Sequence, residues 1–156
     1  MTKIVSLPCC LILFAVTTVA QDTPNFSGTY SLTAQKGEHI AKALPKITLK
    51  VVQSGSSLEI VESYDEGKTV TKKYTLNGGE TKNLTSAGAP TTDKAETKGK
   101  TLAIHSSYRL PTGTTVRETQ RWELSADSKT LKIRRQTDFE GMSMLDDTMY
   151  ETYHRQ

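Results

Sequence analysis

Residues 101–139 read TLAIHSSYRLPTGTTVRETQRWELSADSKTLKIRRQTDF, and taken two at a time they divide into a wet face and a dry one. One face carries Leu102, Ile104, Ser106, Tyr108 and Leu110, then Val116, Glu118, Gln120, Trp122 and Leu124, then Leu131, Ile133, Arg135, Thr137 and Phe139. The other is almost wholly polar, as at Arg117, Thr119, Arg121 and Glu123. Side chains of a strand alternate across the sheet, so period-two segregation of this length predicts three consecutive strands of a sheet with one buried side.

Working outward, the same alternation recurs. Phe26, Gly28, Tyr30 and Leu32 predict a first strand after a loose polar arm at 21–25. Alternation fails over 34–45, where 39–44 predicts a short helix closed by Pro45. Further strands are expected at 47–51, 58–64 and 70–76, the last turning through Asn77-Gly78-Gly79, a strong hairpin signal. The weakly apolar segment 80–100 reads either as two short strands, 80–85 and 92–97, or as a mobile flap. A final strand is expected over 147–154.

An internal repeat links these pieces: Leu58-x-Ile60 with Tyr64, Gly67 and Val70 matches Leu102-x-Ile104 with Tyr108, Gly113 and Val116, and Leu131-x-Ile133 opens a third copy. Repeated hairpins on short connections build an antiparallel up-and-down meander. The all-β chain is thus expected to form 8–10 strands closing into a barrel, since closure removes exposed edges, with a two-sheet sandwich as the alternative.

Composition suits that architecture. The apolar run at 4–19 follows Lys3, is broken by Pro8 and ends in small residues before Ala20. It predicts a signal peptide over 1–20, followed by one domain over 21–156 in a secreted or periplasmic protein. The alternative is an uncleaved membrane anchor, although the run is shorter than the roughly 20 residues that span a bilayer. Both cysteines, Cys9 and Cys10, lie in that leader, so the domain must hold itself together without disulfides. Loss of Lys3 would take the formal charge from +3 to +2, and no basic run accompanies the aromatics, which argues against a nucleic-acid partner. Leu, Ile, Val and Phe supply only 23 of the 136 residues from Gln21 onward, and 21 threonines fill the gap. Threonine's branched Cβ suits a strand and its hydroxyl suits water, as a single sheet curled around a small interior requires.

Residues 25–32, NFSGTYSL, resemble the opening strand of lipocalins and fatty-acid-binding proteins, whose motif is Gly-x-Trp; here it is Gly28-Thr29-Tyr30, with an aromatic kept. The hairpin at 122–131, WELSADSKTL, is similar to that of small secreted bacterial lipocalin-like (calycin-type) proteins. The resemblance extends over most of 25–153. It implies a lipocalin-like barrel that binds small apolar molecules, and it implies no catalytic residue. The arginine-x-tyrosine that fatty-acid-binding proteins carry near the C-terminus does not occur in Tyr150-Glu151-Thr152-Tyr153-His154-Arg155.

The dry face also carries ionisable groups in mid-strand. Pairing Leu58 with Leu76 and Ile60 with Tyr74 would set Glu62 opposite Lys72. Pairing Leu124 with Leu131 and Trp122 with Ile133 would set Gln120 opposite Arg135, with Glu118 on the diagonal. Unpartnered buried charge costs several kcal/mol, so these groups are expected to pair with one another in a partly hydrated interior. The functional expectation is that Tyr108, Glu118, Gln120, Trp122 and Arg135 form the polar end of a cavity for a small amphipathic ligand. The competing expectation is a protein-interaction or inhibitor module with no small ligand, which a packed interior would favour. Isolated histidines and a single Asp146-Asp147 pair predict no metal site. No phosphate cradle, nucleophile elbow or cofactor motif occurs. Glu62 and Glu118 could serve as a glycosidase carboxylate pair, but each has a cation nearby to explain it. A non-enzymatic protein is expected.

Overall fold

The computed structural model describes residues 24–38, 40 and 43–156. The expected leader at 1–20, with cleavage after Ala20, lies outside the described residues. Among the described residues no helix is long and apolar enough to cross a membrane.

Ten strands follow one another: β1 (Gly28–Lys36), β2 (Ile47–Ser54), β3 (Ser57–Tyr64), β4 (Thr69–Thr75), β5 (Asn77–Leu84), β6 (Pro90–Lys98), β7 (Thr101–Arg109), β8 (Thr115–Leu124), β9 (Thr130–Phe139) and β10 (Asp147–Arg155). Hydrogen-bonded neighbours run β4-β3-β2-β1-β10-β9-β8-β7-β6-β5, all antiparallel, so the meander curls into a nearly closed barrel. The expected all-β, up-and-down barrel is the observed one. A short 3-10 turn at Ser143–Leu145 is the one helical element among the described residues. The helix expected at 39–44 falls partly on residues 39, 41 and 42, outside the described set; Ile40, Ala43 and Leu44 are not helical.

Three local readings need correction, and a fourth, open between two alternatives, is decided. First, Asn77-Gly78-Gly79 closes no hairpin. β4 and β5 form the open seam of the barrel, and Asn77 pairs with Glu96 of β6 across a bulge. Second, of the two readings of 80–100 the pair of strands is observed and the flap is not; the inward residues Thr91, Asp93 and Ala95 are small or polar, which is why the apolar signal there is weak. Third, β3 and β4 pair two residues away from the expected register, with Leu58 opposite Tyr74, Ile60 opposite Lys72 and Glu62 opposite Val70. A tight turn, in which Tyr64 N–H donates to the Lys68 carbonyl at 2.9 Å and Gly67 takes φ +72°, sets that register. Fourth, the arm is tied down at 24–26, since Gln53 donates to the Pro24 carbonyl at 3.1 Å and accepts from Phe26 N–H at 2.9 Å. The expected β8–β9 register, with Trp122 opposite Ile133 and Gln120 opposite Arg135, is the one observed.

The interior is segregated along the barrel axis. One end is a dry core of Phe26, Tyr30, Leu58, Leu102, Trp122, Leu131 and Tyr153, each 2% exposed or less. Phe26 meets Trp122 edge to face, with ring centroids 6.2 Å apart at 78°. Arg155 caps this end, its guanidinium 5.2 Å from the Tyr30 ring centroid and donating to the Tyr30 hydroxyl at 2.7 Å. Gly28 makes room for it, because a Cβ there would lie 3.0 Å from Arg155 Nε. The opposite end, where 37–38 and 43–46 of one connection gather with the 65–68, 85–89, 110–114 and 140–146 connections, is the mouth. Its interior is polar.

Candidate functional site

The inward positions of the strands approaching the mouth are Glu62 on β3, Lys72 on β4, Thr91 and Asp93 on β6, Ser106 and Tyr108 on β7, Glu118 on β8 and Arg135 on β9. Together they line a cavity of about 120 Å³. Strand alternation places them there; the shortage of large apolar residues on β6 and in the outer half of β7 leaves the space unfilled.

Two ion-paired groups occupy the walls. Lys72 Nζ lies 3.1 Å from Glu62 Oε1, and the Tyr64 hydroxyl donates to Glu62 Oε2 at 2.9 Å. Although their register is shifted, the long Lys72 side chain reaches Glu62 along the diagonal. Arg135 donates through Nη1 to Glu118 Oε1 at 2.7 Å and through Nη2 to Glu151 Oε2 at 3.3 Å. Burial alone would lower the Arg135 pKa, but the carboxylates of Glu118, Glu151 and Glu62 more than offset it, so the guanidinium is held above its ordinary value and stays charged. Gln35 reaches Glu151 at 3.1 Å, because a bulge in β1 between Leu32 and Ala34 turns Gln35 inward.

Of the side chains expected at the site, Tyr108, Glu118 and Arg135 line the cavity. Gln120 and Trp122 sit beneath it, 3% and 1% exposed. They connect to it by hydrogen bonds: Trp122 Nε1–H donates to Gln120 Oε1 at 2.9 Å, and Gln120 Nε2 donates to Glu118 Oε1 at 2.6 Å. The indole therefore anchors the network from the core and meets no solvent.

Sequence reasoning missed Asp93 and Glu151. Asp93 is 1% exposed; its Oδ2 accepts from Thr91 Oγ1 at 2.9 Å and from Asn83 Nδ2 at 2.7 Å, and its Oδ1 has no partner. The signal was present as Thr91-x-Asp93-x-Ala95, a period-two face made of small and polar residues. Among the described residues no group of three metal-ligating side chains converges.

Outside the polar cavity lies a vestibule of about 400 Å³ between Pro45, Lys46, Asp65, Glu66 and Lys68, sharing Tyr64 and Ser86 with the inner space. Ile40 and Leu44 on one mouth connection, and Met142, Met144 and Leu145 on another, are exposed.

By sequence, no known family profile and no curated protein matches the chain. Solved structures do match it. Zebrafish ileal bile acid-binding protein, complexed with cholic acid, superposes with a TM-score of 0.64 at 17% identity, over 84% of this chain and 98% of that one. Apo Caenorhabditis elegans lipid binding protein 8 gives 0.61 at 10% identity over 84% and 95%. Schistosoma mansoni fatty acid binding protein in complex with arachidonic acid gives 0.56 at 15% identity over 84% and 96%. The chain shares the antiparallel up-and-down barrel fold of these structures. At these identities the likeness speaks for the fold alone. Within this barrel the polar cavity and its vestibule form a concave site toward the mouth.

Proposed function

We propose that the protein is a non-enzymatic, secreted or periplasmic binding barrel for a small amphipathic molecule. The observation that carries this reading is the axial segregation of the interior: a sealed apolar core, a polar cavity of about 120 Å³ above it, and a wider vestibule of about 400 Å³ beside exposed apolar side chains. Such a gradient suits a ligand whose polar end enters first and whose short apolar part remains toward the mouth. The solved structures of like fold, those of a bile acid-binding, a lipid binding and a fatty acid binding protein, add support to a binding role. The cavity is too small for a whole lipid, so the buried part of the ligand is a head group and a few carbons.

Tyr108, Glu118 and Arg135 are the proposed contacts, with Gln120 and Trp122 holding Glu118 in place. Native mass spectrometry of protein purified from its own source, joined to a thermal-shift screen of short amphipathic compounds, tests the reading. A retained small molecule, or a concentration-dependent rise in Tm, is expected. A ligand-free protein that no compound stabilises would remove it.

A second reading, a protein-interaction or inhibitor module, draws support from the exposed Ile40, Leu44, Met142, Met144 and Leu145 at the mouth. Co-purification of a stoichiometric protein partner, lost when Leu44 and Leu145 are changed to Ser, would favour it.

A further inference from the structure

We propose that the polar cavity selects a cationic head group, a primary ammonium on a short apolar chain, with Asp93 as the carboxylate that receives it. This rests on the reading of the barrel as a small-molecule binder and specifies its ligand class.

The lining carboxylates Glu62, Asp93 and Glu118, together with the buried Glu151 bonded to Arg135, stand against the cations of Lys72 and Arg135, a formal charge of −2 for the cluster. Both cations are already ion-paired, Lys72 with Glu62 at 3.1 Å and Arg135 with Glu118 and Glu151 at 2.7 and 3.3 Å, and Arg135 keeps one buried donor, Nε, without a partner. An anionic ligand could meet that Nε–H, but on a guanidinium already paired with two carboxylates, and it would add negative charge to a cluster whose formal charge is already −2. Asp93 stands in the opposite condition. Its neighbours Thr91 and Asn83 are neutral donors to one oxygen, Oδ1 is buried without a partner, and the residue lines the cavity. Water could donate to Oδ1 but would leave the charge uncompensated; an ammonium group does both.

The neighbouring tyrosines register the same field. Burial first, and the carboxylates second, raise Tyr64, Tyr74 and Tyr108, with Asp93 the foremost charge acting on Tyr74. With no converging set of three metal-ligating side chains among the described residues, an organic cation fits better than a metal ion. The volume, about 120 Å³, lies somewhat below the roughly 150 Å³ that encloses a benzene ring, which limits the buried part to the head and a few methylenes.

The test uses residues 21–156 with hexylamine, hexanol and hexanoate, which share one tail and differ in head group, titrated calorimetrically near neutral pH into native protein and Asp93→Asn. Hexylamine is expected to bind at least tenfold more tightly than the other two, and Asp93→Asn is expected to bring it to parity with hexanol. Hexanol or hexanoate binding as well as hexylamine would overturn the charge selection and leave the binding role standing. Hexylamine binding equally to native protein and a folded Asp93→Asn would remove Asp93. Failure of all three to bind would overturn the binding role and this inference together. Because the ranking is read on native protein, the proposal stays testable even if the variant fails to fold.

Discussion

The side-chain amide of Asn83 occupies the backbone of Lys73 as a neighbouring strand would: Oδ1 accepts the Lys73 N–H at 2.8 Å, and Nδ2 donates to the Lys73 carbonyl at 2.9 Å. One residue thus bridges the seam between β4 and β5, and its other amide hydrogen holds Asp93.

Asn83→Ala should therefore destabilise the barrel by about 1–3 kcal/mol in urea unfolding, and should speed hydrogen exchange at the Lys73 amide. Asn83→Asp should cost more, because it places a second carboxylate where Nδ2 now stands, 2.7 Å from Asp93 Oδ2. If the two variants are equally stable, Asn83 has no electrostatic role toward Asp93.

Arg135 is the common partner of two buried carboxylates. Arg135→Ala should cost about 3–5 kcal/mol in the same assay, since Glu118 and Glu151 are left without a cation. The triple variant Arg135→Met, Glu118→Gln, Glu151→Gln should recover much of that loss, as it removes the stranded charges too. A triple variant less stable than the single one would show that the network is worth more intact than its charges cost.

At the dry end, Phe26 is fully buried and lies edge-on to Trp122. Phe26→Ala should cost about 3–5 kcal/mol. It should also move Trp122 emission to longer wavelength, because the indole, 1% exposed, packs against Phe26 and would lose that neighbour. Unchanged emission would mean that the arm at 24–26 does not seal the core.

Alkaline stability follows from four tyrosines. Burial first, and then a carboxylate in each case, raises Tyr64 (Glu62), Tyr74 (Asp93), Tyr108 (Glu118) and Tyr153 (Glu151) above the ordinary value of 10.0. The unfolded chain would release these protons near pH 10.0 while the folded chain keeps them. Their stabilising contribution is therefore whole below that pH and is lost as pH rises above it toward the folded values. Ultraviolet titration should show these four ionising together with unfolding; their early ionisation in folded protein would contradict the burial.

How far the sequence could be read depended on which side chains lined each strand. Between Leu102 and Leu131 bulky apolar groups alternate with charges, so a one-residue slip would turn Trp122 outward, and both the strands and the β8–β9 register were legible. β3 and β4 have fewer such constraints, and matching Leu58 to Leu76 gave way to the geometry of the Gly67 turn. Asn77-Gly78-Gly79 has the chemistry of a hairpin, but nothing local shows that the strands on either side of it part at a seam. Glu118 and Arg135 were legible because charge stands out on an apolar face. Asp93 was not, because its strand has no apolar face to stand out from, and Glu151 was hidden by the exposed Tyr150 beside it.

The strand order has a consequence for how the chain could be rewired. Apart from β1 with β10, every hydrogen-bonded pair among the described strands joins sequence neighbours, and residue 156 already donates to the Thr29 carbonyl at 2.9 Å. A circular permutant that links residue 156 to residue 24 and reopens at Leu76 would run from β5 through β10 and β1 to β4. The one long-range ladder would become a hairpin, and the new termini would fall at the gap that nature left unzipped. Such a chain should reach the same barrel with a lower contact order, and hence sooner.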